Sequence, residues 1–251
     1  MTRPDELPRR VALVSGGGTG IGRATCLRLA RDGLRIVVGY SHSDAGAAKT
    51  VRDIEAAGGE AFAQRVDIRE EGEVQAFFAA AKERYGRVDV VINNAGIGHM
   101  KSFAKIEMSA YDQLFAVNTR GTFMMCREAA RTIEDHGRII NISSGITVAN
   151  SEGMALYAGS KAAIEAFAKV LARELAPRGI TVNIVSPGMT DTPMLEGGDA
   201  DMLRKVGASL AAMKRLGQPE DIADGIAALV SPDGRWITGQ NIHIDGGTII
   251  V

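Results

Sequence analysis

Six times along this chain a short run of β-branched and apolar residues gives way to a longer stretch with helical spacing, and a seventh short run closes the series. Strands are expected at 10–15, 35–39, 61–66, 88–92, 138–143, 181–185 and 241–244. Helices are expected between them at 21–32, 45–57, 73–85, 108–131, 156–175 and 219–230. The strand runs lack polar alternation, as strands covered on both faces do. Strands that alternate with helices build a parallel sheet through right-handed crossovers. The expected fold is therefore α/β: one doubly wound parallel sheet with helices on both faces, over residues 10–251. A polar, Pro-containing lead, residues 1–9, precedes it, and no stretch reads as a linker between domains.

Composition narrows the function. The chain has 251 residues, 45% hydrophobic and 24% charged, with a formal net charge of −1. That is ample for one sizeable core, and it offers no basic surface to nucleic acid or to an anionic membrane. Aromatic residues make up 5%, too few for a base-stacking platform. No apolar run reaches the ~18 residues of a membrane span, and the N-terminus lacks a signal-peptide core. Cys26 and Cys126 form no paired framework and read as reduced thiols, which points to the cytoplasm. No metal-ligand spacing joins them to His42, His99, His136 or His243, so no metal site is expected.

The first strand runs into Ser15-Gly16-Gly17-Gly18-Thr19-Gly20-Ile21-Gly22, and a helix follows. Glycines let a backbone turn tightly and approach a pyrophosphate, whose charge the helix N-terminus attracts. The spacing is Gly16-x-x-x-Gly20-x-Gly22 rather than G-x-G-x-x-G, and a plain tight connection is the competing reading. Arg23 stands where a phosphate-transferring loop needs lysine, which disfavours ATP. An acid at the end of the second strand would bond a ribose 2′-hydroxyl and select NAD. Here that end reads Tyr40-Ser41-His42-Ser43, with Asp44 close by and no Arg or Lys among them. The reading is NADP(H), with NAD(H) as the alternative.

Tyr157 and Lys161 stand four residues apart in a helical stretch, so their side chains share a face. An ammonium beside a phenol is expected to lower the phenol's pKa and make it a better proton shuttle near neutrality. Beside a dinucleotide site, such a pair implies redox chemistry at a carbon–oxygen bond. The stretch 188–217 follows the sixth strand and is rich in Gly and Met. It reads as a long irregular segment: a substrate lid, or more plainly a surface loop.

In order, then, come Gly16-x-x-x-Gly20-x-Gly22, Asp67, Asn93-Asn94-Ala95-Gly96, Asn118, Ser144, Tyr157-x-x-x-Lys161, and Pro187-Gly188 with Thr192. From Arg10 to Val251 the chain resembles the short-chain dehydrogenase/reductases, which have a Rossmann-like fold. Ser15 departs slightly, standing where Thr is commoner. The resemblance implies that Gly16, Thr19, Gly20, Ile21, Gly22, Tyr40, Ser41, His42 and Ser43 line the cofactor. Asp67 would bind the adenine amino group, with Ile68 adding a backbone contact. Asn94, Ala95 and Gly96 would form the floor beneath the adenosine. Pro187, Gly188, Thr190 and Thr192 would hold the carboxamide and phosphates. Asn118 would hold a water in a relay to Lys161. Ser144, 13 residues before Tyr157 and chosen over Ser143, would bond the substrate oxygen. Tyr157 would be the general acid/base, and Lys161 would lower its pKa and hold the nicotinamide ribose.

The resemblance also implies a homotetramer and a hydride transfer between NAD(P) and a small ketone or secondary alcohol. Ile146, Met154, Met189 and Met194 are expected on the pocket rim, which suits a partly apolar ligand. The alternative is a 3-oxoacyl-carrier-protein reductase, but Glu134-Asp135 stand where such enzymes commonly carry basic residues, leaving Arg178 as one basic contact. Enoyl reduction goes with a wider Tyr–Lys spacing. A dinucleotide-binding sensor without turnover would be expected to lose part of the Asn-Ser-Tyr-Lys set, and this chain keeps all four.

Overall fold

The computed structural model describes residues 9–196 and 199–250, so residues 1–8 of the expected lead lie outside it. Its strands are β1 (Val11–Val14), β2 (Arg35–Tyr40), β3 (Ala61–Arg65), β4 (Val90–Asn93), β5 (Arg138–Ile142), β6 (Thr181–Pro187) and β7 (Asn241–Ile244). The helices are α1 (Gly20–Arg31), α2 (Asp44–Ala56), α3 (Glu71–Tyr85), α4 (Met108–Phe115), α5 (Thr122–Thr132), α6 (Ile146–Ala149), α7 (Ala155–Leu175), α8 (Ala200–Leu210) and α9 (Pro219–Val230). All strand pairs are parallel, in the order β3-β2-β1-β4-β5-β6-β7. The chain builds outward from β1 to β3, then returns to the other side of β1 with β4. That reversal opens a crevice at the C-terminal ends of β1 and β4, where sheets of this kind take their ligands.

Two apolar layers explain why these segments form these elements. On one face Phe77 and Phe78 of α3, Met125 of α5 and Ala168 of α7 pack against Leu13, Val91, Ile139 and Val182. On the other, Leu29 of α1, Ile54 of α2 and Ile226 of α9 cover Val14, Ile36, Ile92 and Ile140. Each large side chain buried in this way contributes about 1.5–3 kcal/mol. Within the second layer the Cys26 thiol lies beneath the glycine loop, so close that a Cβ on Gly17 would stand 2.9 Å from its sulfur.

The structure corrects the sequence reading in three places. The strands are not all covered on both faces: β1, β4, β5 and β6 are buried throughout, whereas edge strand β3 alternates and edge strand β7 is half-buried. The expected helix 108–131 is broken by a π-helical turn, Ala116–Gly121, which carries Asn118. The stretch 188–217 is not irregular, because it contains a 3₁₀ turn, Pro193–Glu196, and helix α8. Asp199 caps α8 by accepting from the Met202 amide at 3.0 Å.

Candidate active site

At the β1 end of the crevice, side chains and carbonyls knit two loops into one cradle. Ser15 Oγ accepts from the amides of Asn94 and Ala95, each at 3.1 Å. The Asn94 side chain donates back to the carbonyls of Ser15 (3.0 Å) and Gly16 (3.2 Å). The Ser15 hydroxyl, conserved in kind if not in identity with the threonine expected there, thus fixes the floor. Gly16 has φ +68°, and a Cβ on Gly22 would fall 2.2 Å from the Gly16 carbonyl oxygen, so neither position admits a side chain. Thr19 is extended and its side chain does not cap α1, which leaves the first-turn amides aimed at the crevice. Across from them, the Thr192 methyl lies 3.2 Å from where a Gly20 Cβ would be. Uncapped amides between two pinned loops fit the pyrophosphate of a dinucleotide.

The adenosine end differs in detail from expectation. Both Asp67 oxygens accept from the Arg69 guanidinium, at 2.5–3.1 Å, and this pairing holds the carboxyl below its usual range. Asp67 thus enters the crevice already paired with Arg69. Ile68 is buried against Gly121 of the π turn. Ser43 lies against Gly18 and Gly46, and His42 is near enough to Asp67 to act on it electrostatically. Asp44, the acid near the β2 end, takes a hydrogen bond from the Tyr40 hydroxyl; burial and this acid push the phenol up. The β2–β3 register sets Arg65 beside Tyr40. Arg65, which also faces Glu73 at 3.9 Å, places a positive charge beside the β2 end that residues 40–43 lack.

At the β5 end stand the four residues expected to handle the proton. Asn118 is fully buried. Its side chain donates to the Ile97 carbonyl (2.9 Å) and to Ser160 Oγ (3.1 Å), and accepts from the Ile97 amide (2.9 Å). Both of its amide protons are therefore donated to protein partners, and its oxygen accepts one bond. Lys161, 4% exposed, donates from Nζ to the Ile142 carbonyl at 2.8 Å. Burial pushes its ammonium down to about 8. Nζ is 5.7 Å from the centre of the Tyr157 ring. Tyr157 and Ser144 face each other, close enough for the Ser144 hydroxyl to favour the phenolate.

The direction of the tyrosine shift is a correction. Burial pushes the Tyr157 phenol up, and the Ser144 hydrogen bond pulls it part of the way back. The lowering expected from Lys161 is not seen, because the ammonium is turned to a carbonyl. Ser143 is separated from its neighbour by its own partner: its hydroxyl donates to Glu165 Oε1 at 2.6 Å, which leaves Ser144 facing Tyr157. Glu165 was missed in the sequence, although its position eight residues after Tyr157 on α7 was a usable signal.

The expected rim residues divide. Ile146 and Met154 are half-buried on either side of the 147–153 turn, and Met194 is 54% exposed with its thioether near Gly98. Met189 instead packs on Gly207 of α8 and borders a cavity of about 390 Å³ lined also by His243 and Asp245. Pro187 ends β6, Gly188 abuts Asp245, and Thr190 is bridged to Gly217, so the two ends of the segment are held together. Ile249, also missed, lies against Gly145, next to Ser144.

Comparison with known proteins gives concordant matches. The family model described as enoyl-(acyl carrier protein) reductase matches residues 16–248. The short chain dehydrogenase claC of Passalora fulva is 38% identical, covering 97% of this chain and 96% of its own. A 3-oxoacyl-[acyl-carrier-protein] reductase of Synechocystis sp. is 35% identical, covering 97% and 98%. Among solved structures, a dehydrogenase/reductase from Sinorhizobium meliloti superposes with a TM-score of 0.91 at 39% identity, covering 97% and 96%. A short chain dehydrogenase from Burkholderia cenocepacia, in complex with NADP, gives a TM-score of 0.89 at 38% identity, covering 96% and 98%.

Proposed function

The chain belongs to the short-chain dehydrogenase/reductase family, and from that premise we propose that it is an NADP(H)-dependent oxidoreductase interconverting a small ketone and its secondary alcohol. The observation that carries the reading is the gathering of Ser144, Tyr157 and buried Lys161, its Nζ 5.7 Å from the phenol ring, at the sheet end that also carries the glycine cradle. The nicotinamide cofactor supplies or accepts the hydride. The chain's own task is the proton. In reduction Ser144 donates a hydrogen bond to the carbonyl oxygen and Tyr157 gives that oxygen its proton; in oxidation Tyr157 is the base. A cofactor ribose brought against Lys161 would compete with the Ile142 carbonyl for its ammonium and turn that charge toward the phenol.

NADP over NAD is supported by Arg65 beside the β2 end, by the engagement of Asp44 with Tyr40, and by the NADP held by the Burkholderia relative. The cofactor would lie along Gly16, Thr19 to Gly22, Ser41 to Ser43, Asn94 to Gly96 and Thr190 to Thr192. Residues 188–217 would act as the lid of one domain spanning residues 10–251. A second reading, 3-oxoacyl-carrier-protein reduction, draws on the Synechocystis relative. Against it, Arg178 is spent: it donates to Asp135 at 2.8 Å and to the carbonyls of Ala130 and Ile133. Little free positive charge then remains there for an acidic carrier.

The test is cofactor absorbance against a panel of free ketones, alcohols and a carrier-bound 3-oxoacyl substrate, with NADP and NAD side by side. Turnover of free ketones with NADPH, and of secondary alcohols with NADP+, is expected; preference for the NAD(H) pair or for the carrier-bound thioester would overturn the corresponding part. We also propose a homotetramer. An aromatic patch of Tyr111, Phe115, Phe123 and Phe167 across α4, α5 and α7 is partly exposed and pairs within itself, with ring centroids 4.4 and 5.4 Å apart. Light scattering checks this, and a monomer counts against it. No helix among the described residues is long and apolar enough to cross a membrane; with both cysteines free and buried, the cytoplasm is the proposed location.

A further inference from the structure

Tyr157, Lys161 and Glu165 follow one another at four-residue steps on α7, so phenol, ammonium and carboxylate share a face of that helix. Neither the Tyr157–Lys161 motif nor the proton chemistry assigns the carboxylate a role. Its Oε1 accepts from Ser143 Oγ at 2.6 Å and lies 2.9 Å from Thr147 Oγ1. These two residues bracket Ser144. Ser143 directly follows β5, and Thr147 belongs to α6. Between them, Thr147 Oγ1 is also 3.1 Å from the Ser144 carbonyl, and Ser144 Oγ accepts from the Ile146 amide at 3.3 Å.

We propose that Glu165 is a positioning residue for the reaction: one carboxylate oxygen clamps the 143–147 turn onto α7 from both sides of Ser144 and so sets the contact between Ser144 and Tyr157. The inference rests on the reading of Ser144 and Tyr157 as the proton-transfer pair. The turn needs such a clamp. A helix as short as α6 has no stability of its own. The tether is strong for its size, because hydrogen bonds to a carboxylate are about twice as strong as neutral ones. It is also hard to replace, since Ser143 is 2% exposed and would be left a buried hydroxyl without an acceptor. Proton transfer is sensitive to such support: a misplacement of ~1 Å can cost ~10²-fold in rate.

The variants Glu165→Leu and Glu165→Gln separate positioning from mere packing. Leucine removes the acceptor at similar size, whereas glutamine keeps a carbonyl oxygen where Oε1 stands. For Glu165→Leu the expected result is a kcat lower by about 10- to 100-fold with the cofactor KM unchanged. The limb of the kcat–pH profile that reports Tyr157 should also move upward, because the Ser144 hydrogen bond no longer holds the phenol down. Lys161 Nζ lies 5.7 Å from the ring, and Glu165 is one turn further along the same face, so Glu165→Gln, which removes the same charge, controls for electrostatics. Glu165→Gln should stay within about threefold of the parent, with the same limb.

A Glu165→Leu protein that melts earlier but keeps kcat and limb would show that the residue only holds the fold, and the proposal fails. It fails equally where glutamine loses as much activity as leucine. If leucine prevents folding, Thr147→Val removes a single tether: a fall of about 3- to 10-fold in kcat at unchanged cofactor KM supports the clamp, and an unchanged kcat and limb overturn it. Tyr157→Phe is run alongside. Retained turnover there overturns the underlying reading and the clamp together, while abolished turnover with a silent Glu165→Leu overturns the clamp alone.

Discussion

The face formed by β4, β5 and α7 and the segment 188–217 border the same crevice but are built in opposite ways. On the first, the side chains proposed to handle the proton are each held by a protein partner: Asn118 by Ile97 and Ser160, Lys161 by Ile142, and Ser144 by the Ile146 amide. On the second, Met194, Met202, Val206, Leu210 and Met213 are between 42% and 69% exposed, and the three on α8 recur at four-residue steps as an uncovered stripe. The two ends of the segment are joined by the Thr190–Gly217 bridge, and Arg204 of α8 reaches back to Asp191 at 3.0 Å. The contrast separates two jobs. On the proposed reading, chemistry is carried by residues whose geometry is fixed in advance, and choice of substrate is left to soft thioethers that can repack.

The comparison breaks most sharply at Tyr157. Tyr157→Phe should cost about 10²–10⁴-fold in kcat while cofactor still binds, read by turnover beside cofactor fluorescence titration. Near-parental turnover would mean that the fixed face is not where the proton moves. Next comes Lys161, whose buried charge carries a pH signature. Its folded pKa, about 8, lies below the unfolded value near 10.4, so the folded state is penalised below about pH 8. The penalty fades as pH rises through that window, because there the unfolded chain binds the extra proton. Without cofactor, Lys161→Met should therefore be more stable than the parent by about 1–3 kcal/mol at pH 7, with the gain vanishing toward pH 10.5. Denaturant melts at several pH values check it; a pH-independent difference would contradict the burial of the charge.

At the far end of the cradle, Arg65→Gln should raise the KM for NADP about tenfold and leave that for NAD unchanged. Equal changes for both cofactors would remove Arg65 from phosphate recognition. The smallest effect belongs to the lid. Met194→Ala should alter ketone KM by about 2- to 5-fold, unevenly across a substrate panel, without moving the kcat–pH profile. A shifted profile would mean that lid and fixed face are coupled rather than separate.

Much of the fixed face was legible in the sequence, because backbone-scale constraints leave marks there. The seven strands, the packing need at Gly22 and the Tyr157–Lys161 spacing are all periodicities or exclusions. What escaped depends on where side chains turn in space. The π turn at Ala116–Gly121 inserts into a stretch whose apolar period runs on through it. The phenol of Tyr157 rises rather than falls because burial outweighs a neighbour whose ammonium points to Ile142, and a pairwise charge argument carries no burial. Asp67 is paired with Arg69 two positions on, a contact that a role assigned by resemblance does not mention. Helix α8 was readable after all: Asp199 as a cap and Met202, Val206 and Leu210 at helical steps were outweighed by the glycines around them.

Cys26 beneath the glycine loop has a practical consequence. Its thiol is fully buried and held far above its ordinary pKa by that burial, so in the closed state it is shielded from alkylating reagents and held in its unreactive form. Modification must wait for the roof at Gly17 to lift. The labelling rate of this cysteine, separated by peptide mapping from that of Cys126, is thus a clock for opening of the nucleotide cradle. A dinucleotide that pins the loop slows the clock, and the slowing measures occupancy of the cradle even for ligands that never turn over.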